Sequence, residues 1–126
     1  YFGTLAMCRA FAPQMRARGG GTIVNVLSAA ARLALPAMGS LCASKAAALA
    51  MTDCLRAELP EGNIAVVAFM PAALETRMSS HLDIPKATVR DAAAALLDGL
   101  CEGATEIAIS AAGGPAIRAG SPSTPA

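Results

Sequence analysis

Two short stretches constrain this chain more than anything else in it: residues 22–27 (TIVNVL) and 64–70 (IAVVAFM). Both are β-branched and apolar on nearly every residue, without the alternation of a strand that shows one face to water. Such runs suit strands covered on both faces of a parallel sheet. Between them, residues 39–59 are rich in Ala, Leu and Met, and Pro60 with Gly62 stops them, as a helix would be stopped. Parallel strands need a crossover of this length. The segment is therefore a strand–helix–strand unit.

The flanks extend the pattern. In residues 4–18, Leu5, Cys8, Phe11 and Met15 recur at helical spacing, with Pro13 placed to open the helix locally. Thr88-Val-Arg-Asp91 resembles a capping box and opens a helix to about Leu100, and residues 106–109 form a last short strand. The sequence thus predicts an α/β fold of about three strands and three helices, the C-terminal portion of a Rossmann-like doubly wound sheet. Residues 1–110 form the partial domain. Residues 111–126, made mostly of Gly, Pro, Ser and Ala, are expected as a flexible tail.

Composition narrows the function. The 126 residues carry a net charge of +1 with 3% aromatics and no Trp, which predicts neither a nucleic-acid partner nor attraction to an anionic membrane surface. The longest apolar run, 64–74, is too short to span a bilayer and contains Pro71. No signal peptide opens the chain, so a cytoplasmic location is expected. Cysteines 8, 42, 54 and 101 form no CxxC pair, and His81 is the sole histidine, so no metal site is expected. Buried free thiols are the expectation for all four. Gly19-Gly20-Gly21 precedes a strand and follows a helix, the reverse of a phosphate loop, and reads as a turn. His81 reads as a solvated surface residue.

The chemistry sits between 22 and 45. Ser28 lies just past the C-terminal end of a buried strand, where open α/β sheets place ligands. Lys45 stands in the early turns of the following helix, an unusual place for a cation that served only the helix dipole. Position 41 is four residues before it, on the same helix face.

Here the sequence resembles the short-chain dehydrogenase/reductase family. A strand ending in Asn-x-Ser-Ser delivers that family's catalytic serine, and Tyr-x-x-x-Lys follows about 13 positions later. Counting from Ser28 reaches position 41, and Cys42-Ala-Ser-Lys45 is similar to the end of the family's Tyr-x-Ala-Ser-Lys, but position 41 is leucine. Tyr1-Phe-Gly-Thr-Leu-Ala-Met resembles the helix behind the family's catalytic asparagine. The stretch from Val67 to Thr76 resembles Pro-Gly-x-Val-x-Thr, with Pro71, Leu74 and Thr76 in register, Met78 at its usual ending, and Ala72 replacing the glycine. Residues 85–107 resemble the family's late helix.

The resemblance implies an NAD(P)-dependent oxidoreductase acting on a small carbonyl or secondary alcohol. Ser28 would orient the substrate oxygen, Lys45 would hold the nicotinamide ribose, and Pro71, Leu74 and Thr76 would hold the carboxamide. It also implies a homo-oligomer through the helices at 4–18 and 39–59. Leu41 has no exchangeable proton, and Ser40 and Cys42 point about 100° away around the helix. The start at Tyr1 and the missing glycine-rich nucleotide loop add the expectation of a fragment or degenerate member. A non-catalytic scaffold or oligomerisation partner is the alternative, and a Ser–Lys hydrolase using Ser28 and Lys45 is a remote one. The substrate, and the choice of NADH or NADPH, are not legible.

Overall fold

The computed structural model describes residues 1–112 and the backbone of 115–119. Helix α1 (Phe2–Ala17), strand β1 (Gly21–Val26), helix α2 (Gly39–Glu58), strand β2 (Ile64–Pro71), helix α3 (Val89–Cys101), strand β3 (Glu106–Ile109) and strand β4 (Pro115–Ala119) follow in order. Single 3-10 turns occupy Ala29–Ala31, Pro60–Gly62 and Arg77–Ser79. The sheet order is β1-β2-β3-β4, parallel through β3. The α/β architecture read from the sequence is the one observed.

Strand β2 is central, and its alternating side chains feed two layers. Ala68 and Met70 join Leu27, Ala48, Leu49 and Ala108 under α2, while Ile64 and Val66 join Leu59 with Ala12 and Met15 of α1 beside them. Val67 and Phe69 face the other way, with Ile107 and Ile109, onto Ala92, Leu96 and Leu100 of α3. Helices therefore cover both sheet faces, as a parallel sheet requires. Strand β1 departs from the expectation of burial on both faces: it is an edge strand, and Val26 is 61% exposed.

Polar side chains tie these layers where the ladder stops. β3 begins opposite Ala68, so earlier backbone groups on that side of β2 have no strand partner. Arg56 of α2 covers that gap, donating from Nε to the Val66 carbonyl at 2.9 Å and from Nη2 to the Thr105 carbonyl at 3.1 Å. At the start of α3, Thr88 Oγ1 accepts from the Asp91 amide at 3.0 Å and donates to the Asp91 carboxylate at 2.8 Å. The helix is capped as expected, with the reciprocal bond made between side chains.

Two expectations are corrected. A fourth strand exists: β4 pairs antiparallel with β3 inside what the sequence suggested was a loose tail. Its Gly- and Ala-rich surroundings carry no apolar run, because an added edge strand takes its bonds from backbone alone. Residues 113, 114 and 120–126 lie outside the described residues. The cysteines are not uniformly buried: Cys8 is, Cys42 is half-buried, and Cys54 and Cys101 are exposed. Their positions on the solvent side of α2 and at the end of α3 explain this. His81 is exposed, as expected. No helix among the described residues is long and apolar enough to cross a membrane.

The three glycines form the α1–β1 turn with positive φ angles of 94°, 112° and 149°. The Gly21 amide donates to the Asn63 carbonyl at 3.0 Å, and Asn63 Nδ2 donates to the Gly19 carbonyl at 2.9 Å. A Cβ on Gly20 would stand 2.0 Å from the Asn63 carbonyl oxygen. Gly20→Ala therefore combines a backbone clash with left-handed strain, and should destabilise by about 2 kcal/mol or more. Gly39→Ala, which meets nothing within 4 Å, should cost nothing measurable. Urea unfolding midpoints of the two variants check this, and equal midpoints would contradict the contact.

Candidate active site

The β1 and β2 strands are parallel and α2 connects them, so α2 runs back against the sheet. Its first turns stand where β1 and β2 finish. Ser28, position 41, Lys45 and the segment after β2 are thereby gathered at one end of the sheet, although Ser28 and Thr76 stand 48 positions apart in sequence. The glycine turn lies at the opposite end.

Ser28 is extended (φ −171°, ψ 157°) and caps the Ala29–Ala31 turn, its Oγ accepting from the Ala30 amide at 3.1 Å. One lone pair is used, and the hydroxyl proton has no acceptor among the described residues. Ser28 is half-buried, so it faces the site without being sealed in. The loop behind it is anchored by Arg32, whose Nη2 lies 2.7 Å from Glu106 Oε2 at the start of β3. Glu106 is 8% exposed and the Arg32 side chain about half exposed, so the pair ties the loop to the sheet from the solvent side.

Leu41 and Lys45 lie on consecutive turns of α2. Leu41 is 37% exposed, a large apolar side chain at the position where the resemblance calls for a phenol. Lys45 is half-buried, and its ammonium has no partner among the described residues.

After β2 the chain is held unusually firmly for a loop. The Ala72 amide donates to the Ile109 carbonyl, and Leu74 and Ala87 form a parallel bridge through Glu75 N–H to Ala87 C=O and Ala87 N–H to Ala73 C=O. Buried Ser79 is the clamp: its hydroxyl bonds the Leu74 carbonyl, lies 3.2 Å from the Thr76 carbonyl, and accepts from the Thr76 amide at 3.3 Å. Thr76 is exposed at the start of the Arg77–Ser79 turn, with its hydroxyl 3.3 Å from Ser79 Oγ. Pro71 is buried as the last residue of β2 and Leu74 is half-buried.

A buried polar cluster behind Ser28 was not picked out from the sequence. Asn25 Nδ2 donates to Thr52 Oγ1 at 2.9 Å, Thr52 Oγ1 donates to the Ala48 carbonyl at 2.7 Å, and Cys8 Sγ donates to Asn25 Oδ1 at 3.5 Å. All three residues are buried, and they join α1, β1 and α2. The signal was present: Asn25 is the one amide in an otherwise apolar strand.

A dinucleotide has two ends, and the residues gathered here could hold one of them. The Thr76 hydroxyl, the Ser28 hydroxyl proton and the half-buried Lys45 ammonium are of the kinds that could hold a nicotinamide riboside. The glycine turn fits no pyrophosphate, because the space beside Gly20 is filled by Asn63.

The model of the family described as short chain dehydrogenase matches residues 1–86. The mouse (Mus musculus) dehydrogenase/reductase SDR family member 7B is 39% identical over 79 residues, 63% of this chain and 24% of its own length. A short chain dehydrogenase from Burkholderia cenocepacia in complex with NADP is 49% identical with a TM-score of 0.84, covering 90% of this chain and 49% of that one. A short-chain dehydrogenase from Sphingobium yanoikuyae in complex with NADPH is 27% identical with a TM-score of 0.76, covering 83% and 43%. The chain thus spans about a quarter of the curated relative and half of the solved structures.

Ser79→Ala removes the clamp on the segment carrying Thr76. Amide hydrogen exchange at Thr76 should accelerate at least about tenfold, whereas Ser80→Ala, on an exposed side chain, should leave it unchanged. Equal exchange in both variants would show that Ser79 does not hold the segment.

Proposed function

The chain belongs to the short chain dehydrogenase family, and from that premise we propose that it carries the nicotinamide half of an NAD(P)-dependent site for a small carbonyl or secondary alcohol, in a form that lacks its proton donor. The observation that supports this most is the convergence of Ser28, Lys45 and the Pro71, Leu74 and Thr76 segment at the finishing ends of β1 and β2. When bound, the nicotinamide ring supplies or accepts the hydride. Ser28 holds the substrate oxygen through its free hydroxyl proton. Lys45 binds the ribose hydroxyls, and Thr76, with the rigid backbone around Pro71 and Leu74, orients the carboxamide.

Hydride transfer at a carbonyl carbon requires a proton at its oxygen. A phenol at position 41, one helical turn before Lys45, would be acidified by that ammonium and deliver it. Leu41 delivers none. We therefore expect no oxidation of NADH or NADPH by this chain above a Lys45→Ala control, across a panel of ketones and aldehydes. In a chimera where this chain replaces the matching half of the Burkholderia relative, Leu41→Tyr should raise turnover by about 10²–10⁴-fold. No gain would mean that position 41 is not the proton-donor position.

A second reading, a non-catalytic partner in a homo-oligomer, is favoured by the surface of the two helices on one sheet face. α1 exposes Phe2, Met7 and Phe11, and α2 exposes the small residues Ala46, Ala47, Ala50 and Ala57, which allow close helix approach. Association through Phe2–Ala17 and Gly39–Glu58 would cover them. Light scattering coupled to size exclusion at micromolar concentration should give a dimer or larger species. A monodisperse, cooperatively unfolding 12.6 kDa monomer would rule this association out.

A further inference from the structure

Behind Thr76 opens a cleft of about 540 Å³ lined by Glu75, Thr76, Arg77, Ser80, Ile84 and Lys86. We propose that it is a receptor for an oxyanion, a carboxylate or phosphate group, held by Arg77 and Lys86 beside Thr76.

The charges support this first. The ion pairs among the described residues are Arg32–Glu106 and Arg56–Asp53, so neither Arg77 nor Lys86 is neutralised, and Glu75 shares the cleft without reaching either. Arg77 and Lys86 line the cleft against one carboxylate, Glu75, so the lining is net positive and favours an anion. The scaffold supports it next. Arg77 follows the Ser79-clamped Thr76, and Lys86 precedes Ala87, which is hydrogen-bonded to Ala73 and Glu75. The two cations therefore project from segments already fastened together, so little ordering is needed when an anion arrives. Arginine offers paired donors to such a group and lysine a point charge. Ile84, half exposed at the rim, offers apolar contact to the carbon skeleton that carries the anion.

Anion binding here does not depend on chemistry at Ser28. Its source does rest on the proposed function: the cleft adjoins Thr76, so the group is either the acid of a keto- or hydroxy-acid substrate or a phosphate of the nucleotide.

Amide chemical shifts of the full chain, titrated with inorganic phosphate, 2-oxoglutarate, nicotinamide and NADPH, test the site. Phosphate and 2-oxoglutarate should both shift residues 76–80 and 86, with affinity falling as salt rises. Arg77→Ala and Lys86→Gln should each weaken binding at least about fivefold, while Arg18→Ala, on the opposite end of the sheet, should not. Tighter binding of 2-oxoglutarate than of phosphate assigns the cleft to a substrate acid, and displacement of phosphate by NADPH assigns it to the nucleotide. Should phosphate bind while nicotinamide leaves 71–76 unperturbed, the anion receptor stands and the nicotinamide assignment falls. No shift at 76–80 with either anion, or unchanged affinity in an Arg77→Ala/Lys86→Gln double variant that keeps its folded spectrum, would overturn the receptor.

Discussion

The hydrogen bond from Asn25 to Thr52 is the interaction on which the candidate site depends. It crosses from the edge strand to the crossover helix inside an apolar layer, where an unpaired amide would cost about 1–3 kcal/mol. Only one register of β1 against α2 satisfies both partners and the Ala48 carbonyl together. Apolar packing between Leu27, Ala48 and Leu49 tolerates small slips; a buried amide does not. Since Ser28 lies three residues beyond Asn25 and Lys45 one turn before Leu49, fixing this register fixes the distance between them. Cys8 extends the same constraint to α1.

Around that register, rigidity is distributed unevenly over the two ends of the sheet. At the end where β1 and β2 start, the glycine turn and Asn63 interlock through backbone and leave no space for a ligand beside Gly20. Where those strands finish, the loops are also fastened, by Arg32 to Glu106 and by Ser79 to its neighbours, but their side chains are left free. Ser28, Lys45, Arg77 and Lys86 each retain unused donors there. A firm frame with unsatisfied donors is what a binding site needs, because ordering costs have been met before the ligand arrives.

Much of this was legible in the sequence, for identifiable reasons. The central strand declares itself because IAVVAFM is buried almost throughout, and α2 because Pro60 and Gly62 bound it. Ser28 and Lys45 are legible because strand ends and helix starts have local signatures that place them. β4 was not legible, since an antiparallel edge strand needs only backbone bonds and a bulge-tolerant register. The partial exposure of β1 was not legible because its residues are as apolar as those of β2, and burial depends on which neighbours the sheet supplies. Ser79 escaped notice because a clamp made from hydroxyl to carbonyl bonds leaves no pattern in spacing.

The interlock of Gly20 with Asn63 has a consequence for how this chain can vary. Asn63 occupies a left-handed conformation (φ 53°) so that its carbonyl can receive the Gly21 amide, and Gly20 is bare because that carbonyl stands where a side chain would be. Neither position can drift alone. A residue other than glycine at 20 becomes acceptable only after the turn at 63 moves away, and that movement forfeits two hydrogen bonds. Two turns 43 positions apart thus behave as one hereditary unit, a structural hinge pin whose halves must be exchanged together.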